Sequence, residues 1–443
     1  MSNIYHKCLG ILPAILLVMA AGAQTTIDNS PYSRLGFGDI QPAYFAGAGG
    51  MGGLLSVYSD PFQVNLANPA SLARLKATAF EVGLYAEHSD LRESQGKANF
   101  WNGNLQSLSL SFPLFNPINR QLDRSPSPFD WGMTLSLVPY SRVAYDVAVV
   151  TIDPVIDSVL YSYQGSGGTY KFVWGNGFRY KNLYGGISAE FLFGKTSVKQ
   201  EVDFEEFPGA YQNIFLDETS YGGFLWNAGL QYDFLFDPVS KDPGRIYTGR
   251  KLTLGLYGRG SRPFKTNTSR LYERTNTIDL DTIVSNSDRA GSGTLPAAWG
   301  AGVMYEHVNK LRLGADVGME RWSQYRNEIL PAELLNTTRL AVGLEWVPDA
   351  DSYNNYFKRV RYRAGFYTGT DPRQQAGTQL KQNAFTLGAG FPLIMPRGQF
   401  SFINLSLEAG RFGLKDGLRE NFFRLTAGFT LNDNSWFFKR KFD

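Results

Sequence analysis

The sequence holds 443 residues, with 43 Lys+Arg against 40 Asp+Glu and a formal net charge of +3. That near-balance gives no bulk basic signal for nucleic acid and no acidic one for cations. A soluble chain of this length would divide into two or three domains, whereas an all-β barrel can be a single one.

The first 23 residues read as a signal peptide. Lys7 supplies the positive charge, residues 9–20 (LGILPAILLVMA) the short apolar core, and Ala21-Gly22-Ala23 the small-residue cleavage site, so the mature chain is expected to start near Gln24. The apolar run is too short for a spanning helix and Pro13 interrupts it. Cys8 is the one cysteine, so the mature chain carries none and a disulfide scaffold is excluded.

Residues 24–77 are the hardest to read as regular structure. A Gly-rich run (GAGGMGG, 47–53) precedes DPFQVNLANPASLA (60–73), which is apolar yet carries Pro61, Pro69, Asn65 and Asn68. Neither proline can donate to a ladder, and Pro69 falls too late for a long helix. The glycines formally fit G-x-G-x-x-G, but no strand, helix or acidic residue follows the dinucleotide pattern.

From about residue 78 the chain alternates. In 422–431 (FFRLTAGFTL), Phe423, Leu425, Ala427, Phe429 and Leu431 take one face, and Arg424, Thr426, Gly428 and Thr430 the other. Residues 311–320, 360–367 and 401–410 repeat the pattern, with fainter copies from 79–88 to 384–391. Residues 264–283 read either as a further pair or as a long loop. A period of two, segments of about ten residues, one uniformly apolar face and aromatic ends describe a transmembrane β-barrel of about 14 to 16 antiparallel strands over residues 78–443. Short turns are expected at one end of the barrel and long loops, such as 116–130, 201–213 and 347–359, at the other. A soluble sandwich would alternate too. The signal peptide, the strand number and the aromatic ends favour the barrel.

Little of the sequence suggests catalysis. Glu87-His88-Ser89-Asp90 holds acid, base and hydroxyl side by side, but neighbours on a strand point to opposite faces. Among residues after the signal peptide only His88 and His307 are histidines, without metal-ligand spacing. No enzymatic activity, cofactor or metal is expected. The charges on the inner face carry more information: Arg312, Asp316, Glu320, Glu345, Arg361, Arg363, Glu408 and Arg424. Arg361 and Arg363 are expected to find carboxylates among Asp316, Glu320 and Glu345. The plainer reading is a salt-bridged lumen that braces the barrel; the functional one is a lining that selects ligands.

Asn68-Pro69-Ala70, with Asp60 upstream and a Gly-rich run before it, resembles the FadL/TodX family of outer-membrane transport barrels. Residues 343–367 (GLEWVP…RVRYRAGFY) resemble that family's late strand pair. The resemblance implies a barrel of about 14 strands whose lumen is plugged by an N-terminal hatch, here residues 24–77, with Asp60, Asn65, Asn68, Pro69 and Ala70 as hatch or gating residues. It also implies diffusive uptake of small hydrophobic compounds, fatty-acid-like in class, across the bacterial outer membrane, with membrane lipid and a hydrophobic ligand as partners. NSPYSRLGFGD (29–39) and the terminal WFFKRKFD depart from the fatty-acid transporters. They look more like the branch with accessory barrels of type 9 secretion, which implies the alternative: a non-transporting barrel that docks secretion-system or surface proteins.

Overall fold

The structure, a computed structural model, describes residues 30–42, 44–93, 96–115, 128–153, 157–204, 209–237, 249–276, 278–395, 399–414 and 417–433. The expected signal peptide and the terminal residues 436–443 lie outside them.

Fourteen antiparallel strands close into a barrel. In chain order they are β1 (Thr78–Glu93), β2 (Gly96–Pro113), β3 (Phe129–Arg142, continued by an arm Tyr145–Asp153), β4 (Asp157–Tyr180), β5 (Leu183–Phe204), β6 (Gln212–Leu235), β7 (Arg250–Arg259 and Arg262–Thr275) and β8 (Leu280–Leu295 and Ala298–His307). The second half holds β9 (Leu311–Glu320, then Arg326–Asn327), β10 (Thr337–Trp346), β11 (Arg361–Gln375), β12 (Thr378–Met395), β13 (Gln399–Gly413) and β14 (Arg419–Asp433). β14 closes the ring on β1, from Arg419 opposite Arg92 to Asp433 opposite Thr78. The ambiguous stretch 264–283 belongs to the pair β7–β8.

The alternation sets the two faces. Phe423, Leu425, Phe429 and Leu431 are exposed on the outside, while Thr426 and Thr430 are buried inside. On β5 the outward row reads Leu183, Ile187, Phe191 and Phe193, all exposed, and then Lys195, which pairs with exposed Glu218 at 2.9 Å. From Leu183 to Phe193 is about the ten residues that cross a hydrocarbon core, and a charge on the outer face beyond them marks water. β4, β5 and β6 run 24, 22 and 24 residues, so their distal halves rise past the membrane. With the β3 arm and the distal parts of β7 and β8 they form a six-stranded sheet outside it. β9 and β10, by contrast, have ten-residue ladders.

The loops are not divided as the sequence suggests. Most connections at the distal end are brief, because residues that read as loops, such as 201–204 and 212–213, continue the ladders; the exception is 321–336, between Glu320 and Thr337. The long connections leave β2, β6 and β10 after Pro113, Leu235 and Trp346, at the end where the barrel chain begins and finishes.

Candidate functional site in the barrel lumen

Residues 30–77 form an inner segment whose contacts run around the ring. Asn68 Nδ2 donates to Leu256 O of β7 at 3.2 Å, Ser56 N–H to Asp316 of β9 at 2.6 Å, and Gly52 N–H to Thr386 of β12 at 2.9 Å. Tyr44 donates to Glu408 of β13 at 3.2 Å, and Val64 N–H to Glu81 of β1 at 3.0 Å. A segment that touches opposite walls occupies the lumen. Pro69 and Leu72 press so closely on the wall that glycine is required there: a Cβ at Gly186 would sit 2.3 Å from Pro69 C, and one at Gly132 would sit 2.0 Å from Leu72 O.

Asn68 organises this segment. It is fully buried, caps the 3-10 turn Pro69–Arg74 by accepting from Ala70 N–H at 3.1 Å, and donates to Ser56 O at 2.6 Å. Asn65 does the same for the preceding bend, donating to Leu55 O and Tyr58 O and accepting from Ala67 N–H. Pro69 fixes the first φ of the turn, and Ala70 packs with Ala73 under Tyr184.

Asp60 anchors the segment to the wall. Its Oδ2 meets Arg312 of β9 at 3.2 Å and Arg361 of β11 at 2.5 Å, and its Oδ1 accepts from Phe62 N–H at 2.9 Å. Burial alone would raise its pKa. The Arg361 and Arg312 charges and the Phe62 N–H override that and hold the carboxyl well below its ordinary range. The network continues through Arg312 to Glu306 and Glu345, through Glu345 to Arg363, and through Glu306 to Lys251, Asp233 and Arg74. It runs along the inner wall from β6 to β11, near the end where β1 begins and β14 finishes.

All eight inner-face charges named from the sequence turn into the lumen network or its neighbourhood. Arg363 meets Glu345 at 2.6 Å, whereas Arg361 turns to Asp60 rather than to a wall carboxylate. Asp316 receives the N–H groups of Leu55 and Ser56, Glu320 faces Arg259 at 3.8 Å, Glu408 accepts from Tyr44 and Tyr367, and Arg424 pairs with Glu87 at 2.6 Å. Sequence reading missed Glu306, Lys251, Asp233 and Arg74. Glu306 and Asp233 stand at alternating positions of recognisable strands and were available to it. Arg74 was not, because nothing local says where a turn will point.

The wall has a gap. β2 pairs with β3 only from Leu108 to Pro113, so residues 96–107 and the β3 edge from Val138 onward face each other without a ladder. The inner segment occupies the lower part of that edge: Asp39–Ile40 pair with Arg142 and Ser141, Gln41 N–H donates to Tyr140 O, and Ser30 N–H to Ala144 O. Phe37 then packs edge-on against Tyr140 and against Tyr325 of the β9–β10 connection, which folds in from the distal side. Behind Ile40, Gln41 and Pro42 lies a cavity of about 270 Å³, lined by charged groups such as Lys171, Glu190, Arg259 and Arg339 as well as by Leu55 and Leu66.

A closed antiparallel ring with an apolar outer band and a polar interior defines a bacterial outer-membrane β-barrel. The chain belongs to the BamG family, whose model matches residues 6–443. Among solved structures, a Pseudomonas aeruginosa FadL homologue is similar at TM-score 0.55 and 14% identity, covering 88% of this chain and 99% of that one. The Ralstonia pickettii toluene transporter TbuX is similar at TM-score 0.51 and 12% identity, covering 88% and 98%. At such identities the likeness is one of fold. No curated protein matches the chain significantly.

Proposed function

We propose that this barrel is a non-transporting outer-membrane scaffold that docks protein partners, without enzymatic activity. The observation that carries the reading is the fastening of the inner segment: Asp60 held by Arg312 and Arg361 of the wall strands β9 and β11, with Asp39–Ile40 laddered onto the open wall edge. A hatch that moves at each transport cycle would have to break these buried pairs, at about 3–5 kcal/mol for each one opened. Partners are then met on the outer sheet or on the long connections at the terminal end. Residues 30–77 act as a fixed plug, with Asn65, Asn68, Pro69 and Ala70 as its internal fasteners rather than as gates.

The cavity behind the gap favours a second reading, diffusive uptake of small hydrophobic compounds through the wall. Its charged lining weighs against an apolar ligand. Two measurements on the full chain separate the readings. Purification from native membranes in mild detergent should retain stoichiometric protein partners, and liposomes carrying the barrel should take up a fatty acid or toluene no faster than empty ones. Saturable uptake by a barrel that purifies alone would overturn the docking proposal.

A further inference from the structure

The six-stranded outer sheet has two free edges among the described residues, and they differ. The β8 edge, Leu280–Arg289, carries Asp281, Asp288 and Arg289, a register shift against β7, and Asp288 at φ 66°. Charges and bulges of this kind keep an edge from pairing with other chains. The opposite edge, the β3 arm Tyr145–Asp153, keeps its two charges, Asp146 and Asp153, at its ends and has no register shift against β4. Its residues 147–152 read VAVVTI, with no charge and no proline. Val150 is 57% and Ile152 78% exposed, at a level of the sheet beyond the membrane. Left bare, such an edge is an aggregation hazard.

Its free groups can be assigned. The register of β3 on β4 is continuous from Ser141–Thr169 to Asp153–Asp157. Val143 N–H donates to Gly167 O of β4, so odd residues face β4. Tyr140 O and Ala144 O and N–H point the other way and are taken by Gln41, Ser30 and Ser33 of the inner segment. By the same alternation Ala148, Val150 and Ile152 present their N–H and C=O groups outward, with no partner among the described residues. The edge thus already accepts strand addition along its lower part, and the inner segment leaves it at Ala144.

We infer that this edge docks an extended, uncharged, β-forming segment of a partner protein outside the membrane, adding a strand to the β3 arm in continuity with the inner segment. The inference rests on the docking reading above and names its site. A backbone row at strand spacing is matched by another extended backbone and not by a lipid or small solute. A second copy is excluded by membrane geometry. Antiparallel pairing places the two-fold axis perpendicular to the sheet and would invert one barrel in the bilayer. Parallel pairing places it along strands tilted by about 35–45° and would splay the barrel axes by about 70–90°.

The test is photo-crosslinking in intact cells that make the full chain. p-Benzoylphenylalanine is placed at Ala148, and at Ser285 on the guarded edge as control. Val150→Pro removes an outward N–H and spares the ladder to β4; Val150→Lys adds an edge charge if the proline variant fails to fold, as judged by heat-modifiable migration. The expected result is an adduct at position 148 mapping to one contiguous segment of another protein, absent at 285, and reduced at least tenfold by either variant but not by Val149→Thr. Absence of an adduct, adducts scattered over many proteins, an adduct to a second copy or to residues before Ser30, or one that survives both folded variants would overturn the inference. If partners still co-purify in full with both variants, docking stands and lies elsewhere; if wild type purifies alone, the docking reading itself falls.

Discussion

Asp60 of the inner segment is bonded to Arg361 of β11, 301 residues further along the chain, and to Arg312 of β9. This contact ties the segment that fills the lumen to the wall at two strands. It turns what would be a loose plug into part of the fold.

Replacing Asp60 by Asn should leave the buried guanidinium charges of Arg312 and Arg361 partly uncompensated. The expected cost is about 3–5 kcal/mol in docking of the inner segment, while the ladder, which does not pass through Asp60, still closes. Single-channel conductance in planar bilayers should rise, with heat-modifiable migration retained. Wild-type conductance in a folded Asp60→Asn barrel would mean that the pair does not hold the plug.

The depressed pKa of Asp60 sets a pH window. Because the folded value lies below the unfolded one of about 3.9, the stabilisation is fully present above that pH and is lost as pH falls through the folded value. Conductance should therefore stay low from neutral pH to about 4 and rise only in stronger acid. In Asp60→Asn the rise should already be present at neutral pH. A wild-type transition between pH 5 and 7 would assign control to another group.

Asn68→Leu removes the acceptor for Ala70 N–H and the donor to Ser56 O and Leu256 O. Each group left unsatisfied should cost about 1–3 kcal/mol. Gly229→Ala tests the same contact from the wall, since its Cβ would sit 1.9 Å from Asn68 Oδ1. Both variants should show faster proteolysis of residues 30–77 than wild type, with the wall resistant. Equal proteolysis rates would count against Asn68 as the organiser.

The outer face is tested by Leu425→Arg, exposed toward lipid on β14. Near the bilayer midplane it should cost about 2–4 kcal/mol of folding free energy in liposomes. A normal folding yield for Leu425→Arg, with Leu425→Ala as the reference, would invert the assignment of the two faces.

The period-two pattern by itself determined the two faces and the inward turn of Arg312, Arg363 and Arg424, because a strand's side chains alternate wherever the strand lies, and with the strand number and aromatic ends it determined the barrel. The Asn and Pro content of residues 60–73 likewise marked a segment that could not join the wall. The destination of Asp60 and Arg74 was not legible, since their partners are contributed by β9, β11 and β6, and no local rule relates such distances in sequence. The heights of the strands were misread as well. Outside the membrane both faces of a ladder can be polar, so alternation fades and the distal halves of β4, β5 and β6 look like loops. The open edge of β3 was set by tertiary structure alone: β2 parts from it beyond Leu108, and which backbone groups stay unpaired depends on the neighbour, not on the strand's own residues.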